Sequence, residues 1–207
     1  MANLLEVEGL TCGYGDLMVV RDVSLRVASH RITAVLGRNG AGKTTLLRGI
    51  AGLSKPERGR ILIGGEDVTQ EPAHTRRSRG VGFVQENKRI FKRRTVEQNL
   101  LLGLHGLRLS RSREQERLDE AYARFPILAD RRSQPAGLLS GGQQQMLGIS
   151  QALVSRPALL LLDEPSMGLA PSIVNEVMSV VRNLRDAEGL GVLLIEQAVE
   201  NSLAAAD

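Results

Sequence analysis

Apolar residues follow two alternating rhythms along this chain. Ile32-Thr33-Ala34-Val35-Leu36, Gly80-Val81-Gly82-Phe83-Val84, Ala158-Leu159-Leu160-Leu161-Leu162 and Val192-Leu193-Leu194-Ile195 are short runs with almost no polar face. Such β-prone runs predict strands of a parallel sheet covered on both sides. Between them the spacing lengthens. Ile173, Val177, Val180, Val181 and Leu184 fall at helical intervals and predict a helix over 172–187. Residues 45–51 and 95–104 also read as helices, the second opened by Thr95 with Glu97 in its first turn. Near the start, Leu5, Val7 and Leu10, then Val19, Val20, Val23, Leu25 and Val27, predict a hairpin-like pair over 4–10 and 17–27, with 11–16 a turn-rich loop. Arg60 to Ile63 is a short strand closed by Gly64-Gly65, and Arg76 to Arg79 is a polar, arginine-rich stretch. Strands alternating with helices define an α/β fold: a mainly parallel, doubly wound sheet with an antiparallel N-terminal part. Residues 87–158 carry more charge and read as a helical insert in a core of 1–86 and 159–207. Arg111 to Phe125 carries many charges, with Glu116 and Glu120, and Arg113 and Arg117, as like charges four apart that Glu114 with Arg117 offsets a little.

Composition narrows the picture. The 207 residues suffice for one large domain with a subdomain, and 27 basic against 23 acidic residues give a net charge of only +4. That balance does not call for a nucleic-acid partner, and with 2% aromatics and no Trp there is no stacking platform for single strands. Cys12, the single cysteine, excludes an internal disulfide or a multi-cysteine zinc site and fits a reducing compartment. No stretch has the pattern of a secretory leader, and no apolar run approaches the ~20 residues of a membrane span, so the chain reads as soluble. Lys88, Arg89, Lys92, Arg93 and Arg94 form a basic run that is either a solvated face or a docking surface for a partner, anionic lipid or nucleic acid.

Candidate chemistry starts at Gly37-Arg38-Asn39-Gly40-Ala41-Gly42-Lys43-Thr44, which fits G-x-x-x-x-G-K-[ST] between a strand and a helix. Glycines let backbone N–H groups curl round a phosphate, and the helix start adds free donors and partial positive charge. Lys43 would reach the β- and γ-phosphates, and the Thr44 hydroxyl would ligate Mg²⁺. Asp163 and Glu164 close the Leu159–Leu162 run. The first is placed to hold Mg²⁺, and the second to polarise an attacking water. Leu139-Ser140-Gly141-Gly142-Gln143 is a second glycine-bearing helix start, with Ser140 as N-cap. One chain needs one γ-phosphate cradle, so the second suggests a site completed by a partner. Tyr14, flanked by glycines, reads either as a half-buried loop residue or as a platform for a nucleobase. The phosphate loop favours the platform.

These motifs resemble the ATP-binding cassette (ABC) ATPases, over essentially the whole chain. Tyr14 matches their adenine-stacking aromatic, residues 37–44 (with Thr45 next) Walker A, 139–143 the LSGGQ signature and 159–164 Walker B. The stretches 144–147, 163–171 and 195–197 resemble the ATPase subunits of branched-chain amino-acid importers, and nearly as much those of urea and amide importers. The resemblance implies ATP and Mg²⁺ as ligands and a head-to-tail dimer with a like or sibling subunit. Each ATP would lie between residues 37–44 of one copy and Ser140, Gly141, Gly142 and Gln143 of the other, with Glu164 as general base. It also implies membrane permease subunits, an indirect link to a substrate-binding protein, a place at the cytoplasmic membrane face, and no direct nucleic-acid partner. Gln197 stands where the family usually has a switch histidine, and Ala170 where an aspartate is usual, both as in the importer branch. His30, His74 and His105 lie outside any motif and read as surface or loop residues. For the Q-loop, Gln85 is the natural glutamine, but counting back from Thr95-Val96 puts Glu86 in register, and either could reach Mg²⁺ or the water. Family members usually continue past position 207 with a further strand and closing helices, so the resemblance implies a truncated C-terminus. A soluble ABC ATPase acting on nucleic acid or ribosomes, and a nucleotide-binding regulator without turnover, are the alternatives.

Overall fold

A computed structural model describes residues 3–15, 17–86 and 90–197. The chain opens with β1 (Asn3–Tyr14) and β2 (Leu17–Ala28), antiparallel neighbours, then β3 (Ile32–Leu36) and α1 (Lys43–Ile50). β4 (Arg58–Ile63), β5 (Glu66–Asp67), α2 (Ala73–Ser78) and β6 (Val81–Val84) follow. The next stretch is helical: α3 (Val96–Leu104), α4 (Arg111–Arg124), α5 (Pro126–Asp130), a 3₁₀ turn at Ala136–Leu138, and α6 (Gly141–Leu153). β7 (Leu159–Asp163), α7 (Pro171–Glu188) and β8 (Gly191–Glu196) complete the described elements. The sequence after Gln197, which reads as the start of a last helix, and Lys88 and Arg89 of the basic run, lie outside the described residues.

Two sheets form. One is antiparallel in the order β2-β1-β4-β5, the other parallel in the order β3-β8-β7-β6. β7 and β8 are buried at every residue, as their unbroken apolar runs require. Their alternate side chains serve different cores. Leu159, Leu161, Leu193 and Ile195 pack with α1 and the antiparallel sheet. Leu160, Leu162, Val192 and Leu194 pack with residues of α3, α6 and α7. The strand period of two thus splits one sheet between two hydrophobic clusters.

Two local expectations are corrected. Thr11 to Tyr14 continue β1 rather than forming a loop, with Cys12 fully buried opposite Val20. The arginine-rich stretch forms the second half of α2 and its C-cap, Arg79, and Arg76 is almost wholly buried. Its guanidinium donates to the carbonyls of Gly49 and Ile50 (both 2.7 Å), and of Thr69 and Glu71 (both 3.0 Å). It thereby closes the C-terminus of α1, where carbonyls lack helical partners and a cation suits the helix dipole. The acidic stripe of α4 is also relieved from outside. Arg156, beyond α6, binds Glu116 at 2.8 Å and also binds Glu120.

Candidate nucleotide site

The loop between β3 and α1 has a shape that only glycine permits at two points. Gly40 (φ +80°) and Gly42 (φ +90°) take left-handed backbone conformations. A Cβ on Gly42 would stand 2.9 Å from Val19 Cγ1, so the loop lies directly on β2. α1 begins without a side-chain cap and without an acidic residue in its first turn. Its free N–H groups and positive end are therefore not spent on the chain's own side chains, which suits a phosphate.

Lys43 is held inside this loop with 7% of its side chain exposed. Its Nζ donates to the carbonyls of Gly37 (2.8 Å) and Arg38 (3.0 Å) and ion-pairs with Glu164 Oε1 at 3.0 Å. The Thr44 hydroxyl donates to Asp163 Oδ1 at 3.2 Å. Asp163, at the end of β7, is buried, and its Oδ2 has no partner among the described residues. Burial pushes its carboxyl up to about 6; the Thr44 bond opposes this, while Glu86 and Glu164 add to it. A buried carboxylate with one unmatched oxygen, bonded to a threonine hydroxyl beside a phosphate cradle, fits Mg²⁺. That ion is held by few protein ligands plus phosphate oxygens. No group of three or more His, Cys, Asp or Glu side chains among the described residues is arranged to hold a metal alone.

A cavity of about 370 Å³ joins Tyr14, Asn39, Gly40, Gly42, Lys43, Thr44, Thr45, Glu86 and Glu164. Tyr14 is 56% exposed at its mouth, and its hydroxyl accepts from Thr45 Oγ1 at 3.3 Å. The two Q-loop candidates separate here. Glu86 lines this cavity, whereas Gln85 lines a groove of about 260 Å³ between the β6 region and helices α3 and α6. The histidines at 30, 74 and 105 are exposed and line neither space. Gln197 is exposed just after β8.

Residues 139–143 stand apart. Ser140 caps α6 in a reciprocal box: its hydroxyl accepts from Gln143 N–H (3.3 Å), and its own N–H donates to Gln143 Oε1 (3.0 Å). Gly142 lies against Ile173, which a Cβ would crowd to 3.1 Å. Ser140 and Gly141 are exposed, and none of the five lines the cavity at Lys43.

The sequence reading passed over Glu196, which is 4% exposed at the end of β8 and accepts from Ser166 N–H at 3.1 Å. The signal was present in the sequence, since a carboxylate closes an otherwise apolar strand next to the one that carries Asp163 and Glu164.

Strand, glycine loop, capless helix and neighbouring acidic strand end define a P-loop nucleotide-binding protein. The chain also matches the sequence model of the ABC transporter family over residues 20–167, and it belongs to that family. It is 40% identical over 204 residues to the high-affinity branched-chain amino acid transport ATP-binding protein BraG of Pseudomonas aeruginosa, covering 99% of this chain and 86% of that one. It is 38% identical to the lipopolysaccharide export system ATP-binding protein LptB of Haemophilus influenzae, covering 97% and 83%. Among solved structures it superposes on a nucleotide-free ATP-binding cassette from an ABC transporter with a TM-score of 0.86 at 28% identity, covering 99% of this chain and 85% of that one. An ATP-binding subunit of an ABC transporter gives the same TM-score at 31% identity, covering 99% and 83%. The chain is an ATP-hydrolysing subunit of an ABC transporter, and no described helix is long and apolar enough to cross a membrane.

Proposed function

We propose that this chain energises an importer of branched-chain amino acids, from the cytoplasmic face of the membrane, as one half of an ATP-clamped dimer. The observation that carries the dimer is the exposure of Ser140 and Gly141, away from the chain's own Lys43 cavity. A helix start built as an anion cradle and turned outward suits the nucleotide of a facing subunit. Likeness to BraG and to the probable branched-chain amino acid transport protein LivF of Archaeoglobus fulgidus (35% identical) supports the substrate class. Urea or amide import, and the lipopolysaccharide export named for LptB, are the competing cargoes.

In this reading Tyr14 stacks on the adenine, the N–H groups of residues 37–45 wrap the phosphates, and Lys43 shifts from its carbonyl partners to the β- and γ-phosphate oxygens. Mg²⁺ would be held by Thr44 and Asp163, with Glu86 nearby, and would offset charge building on the phosphates. Glu164, released from Lys43 by that shift, orients the water and takes its proton. Gln197 supplies an uncharged hydrogen bond toward the γ-phosphate side. The groove lined by Gln85, Leu53 and Leu102 is proposed to seat the permease subunits, whose partner outside is a substrate-binding protein.

Glu164→Gln tests the reading. It is expected to abolish phosphate release while ATP drives the variant to a stable dimer in light scattering. Equal turnover by variant and wild type would refute it. The cargo is tested in proteoliposomes with branched-chain amino-acid permease subunits, where leucine with its binding protein is expected to stimulate ATP hydrolysis.

A further inference from the structure

Glu196 is a buried carboxylate to which the mechanism above gives no task. It ends β8, whose register places Ile195 beside Asp163 and Glu196 beside Leu36. Two contacts run from this strand end to the turn after β7. The Ile195 carbonyl accepts from Glu164 N–H at 2.9 Å, and Glu196 Oε1 accepts from Ser166 N–H at 3.1 Å. The Ser166 hydroxyl and the Gln197 backbone N–H also act on the Glu196 carboxylate, favouring its charged form against burial. The first of the two gripped residues has an unusual backbone. Glu164 itself has φ +46°, and its carbonyl accepts from Met167 N–H at 3.2 Å. A non-glycine residue keeps such a backbone only where its surroundings over-determine it. The contacts to Ile195 and Glu196 bracket it on either side.

We infer that Glu196 is a positioning residue for Glu164: it fixes the turn at Ser166, so that the Glu164 carboxylate points into the cavity beside Lys43, and ties that turn to Gln197. The side-chain type matters. The donors converge on this group and none of them needs a donor in return, a demand a carboxylate meets and an amide meets only in part. Burial and the nearby Glu164 raise its pKa while the bonds from Ser166 and Gln197 oppose the rise, so the site tolerates a costly group that leucine would replace more cheaply.

The inference rests on Glu164 being the base, and the experiment separates the two. ATP turnover and ATP affinity are measured on the full chain for wild type, Glu164→Gln, Glu196→Ala, Glu196→Gln and the double variant Glu164→Gln/Glu196→Ala. Glu196→Ala is expected to lower kcat roughly 10- to 100-fold, the size of effect that misplacing a reacting group produces. ATP affinity should stay within about twofold. Glu196→Gln, which keeps an acceptor and guards against a failure of the alanine variant to fold, should lie between it and wild type. In the Glu164→Gln background, where turnover is already lost, the alanine change should leave ATP affinity and the ATP-driven dimer unchanged, since its effect runs through a group already disabled. A Glu196→Ala variant with wild-type kcat, with kcat and affinity falling together, or with a weakened ATP-driven dimer in the double variant overturns the inference and leaves the base assignment standing. Wild-type turnover by Glu164→Gln overturns both.

Discussion

Lys43 Nζ and Glu164 Oε1 lie 3.0 Å apart, with side chains 7% and 10% exposed. The cation expected to bind phosphate and the carboxylate expected to activate water thus hold each other. A nearly buried pair of this kind is poorly screened, and removing one member leaves the other uncompensated. In the proposed mechanism a phosphate would compete with Glu164 for Lys43, and by competing would free that carboxylate.

Lys43→Ala is expected to weaken ATP binding roughly 10- to 100-fold, the loss of one or two charge-assisted bonds to phosphate. Calorimetric titration with MgATP checks this, and unchanged affinity would contradict the role given to Lys43.

Asp163→Asn should separate stability from function. Asp163 is raised from 3.8 to about 6, so the folded chain holds this proton more tightly than the unfolded one. Its ionisation then costs stability: nothing below the unfolded value, increasingly as pH rises between the two, and fully above about 6. With EDTA present, the asparagine variant should be stabler by roughly 1–3 kcal/mol at pH 7.5 and equal to wild type near pH 4. Denaturant unfolding at the two pH values measures this, and Mg²⁺-dependent hydrolysis should vanish in the same variant.

Arg76→Met removes the donors that satisfy the carbonyls of Gly49, Ile50, Thr69 and Glu71. The methionine fills much of the volume but leaves buried acceptors unmatched, at roughly 3 kcal/mol or more. Thermal unfolding should shift down by roughly 6–12 °C for a chain of this size. A shift under 2 °C would mean that water replaces the guanidinium.

Gly42→Ala meets two separate obstacles, a left-handed backbone and the 2.9 Å approach to Val19. ATP affinity should fall sharply. Adding Val19→Ala should recover only part of it, because the backbone strain of roughly 1–3 kcal/mol persists. Full recovery would show that crowding alone sets the requirement for glycine.

What the sequence disclosed divides by the reach of the contact. Thr95 and Ser140 were readable as helix caps because their partners, Gln98 and Gln143, stand three positions on. The four strands of the parallel sheet were readable from their short apolar runs, although β3, at the sheet edge, is buried only at Ile32, and the cover on both faces holds at every residue only for β7 and β8. Arg76 was not, since it serves carbonyls of a helix some 26 residues earlier. The acidic pair in α4 read as repulsive because Arg156, which answers Glu120, lies 36 positions away. The choice between Gln85 and Glu86 depends on which way the chain turns on leaving β6, and adjacent residues facing opposite spaces look alike as letters.

β7 gives its alternate leucines to two different hydrophobic clusters and shows none of them to water. It behaves as a party wall, in that a displacement useful to one side would open gaps on the other, and close packing resists both. Asp163 and Glu164 stand at the end of that wall. Shifting that strand end would disturb both clusters at once, so close packing on two sides holds the two carboxylates in place.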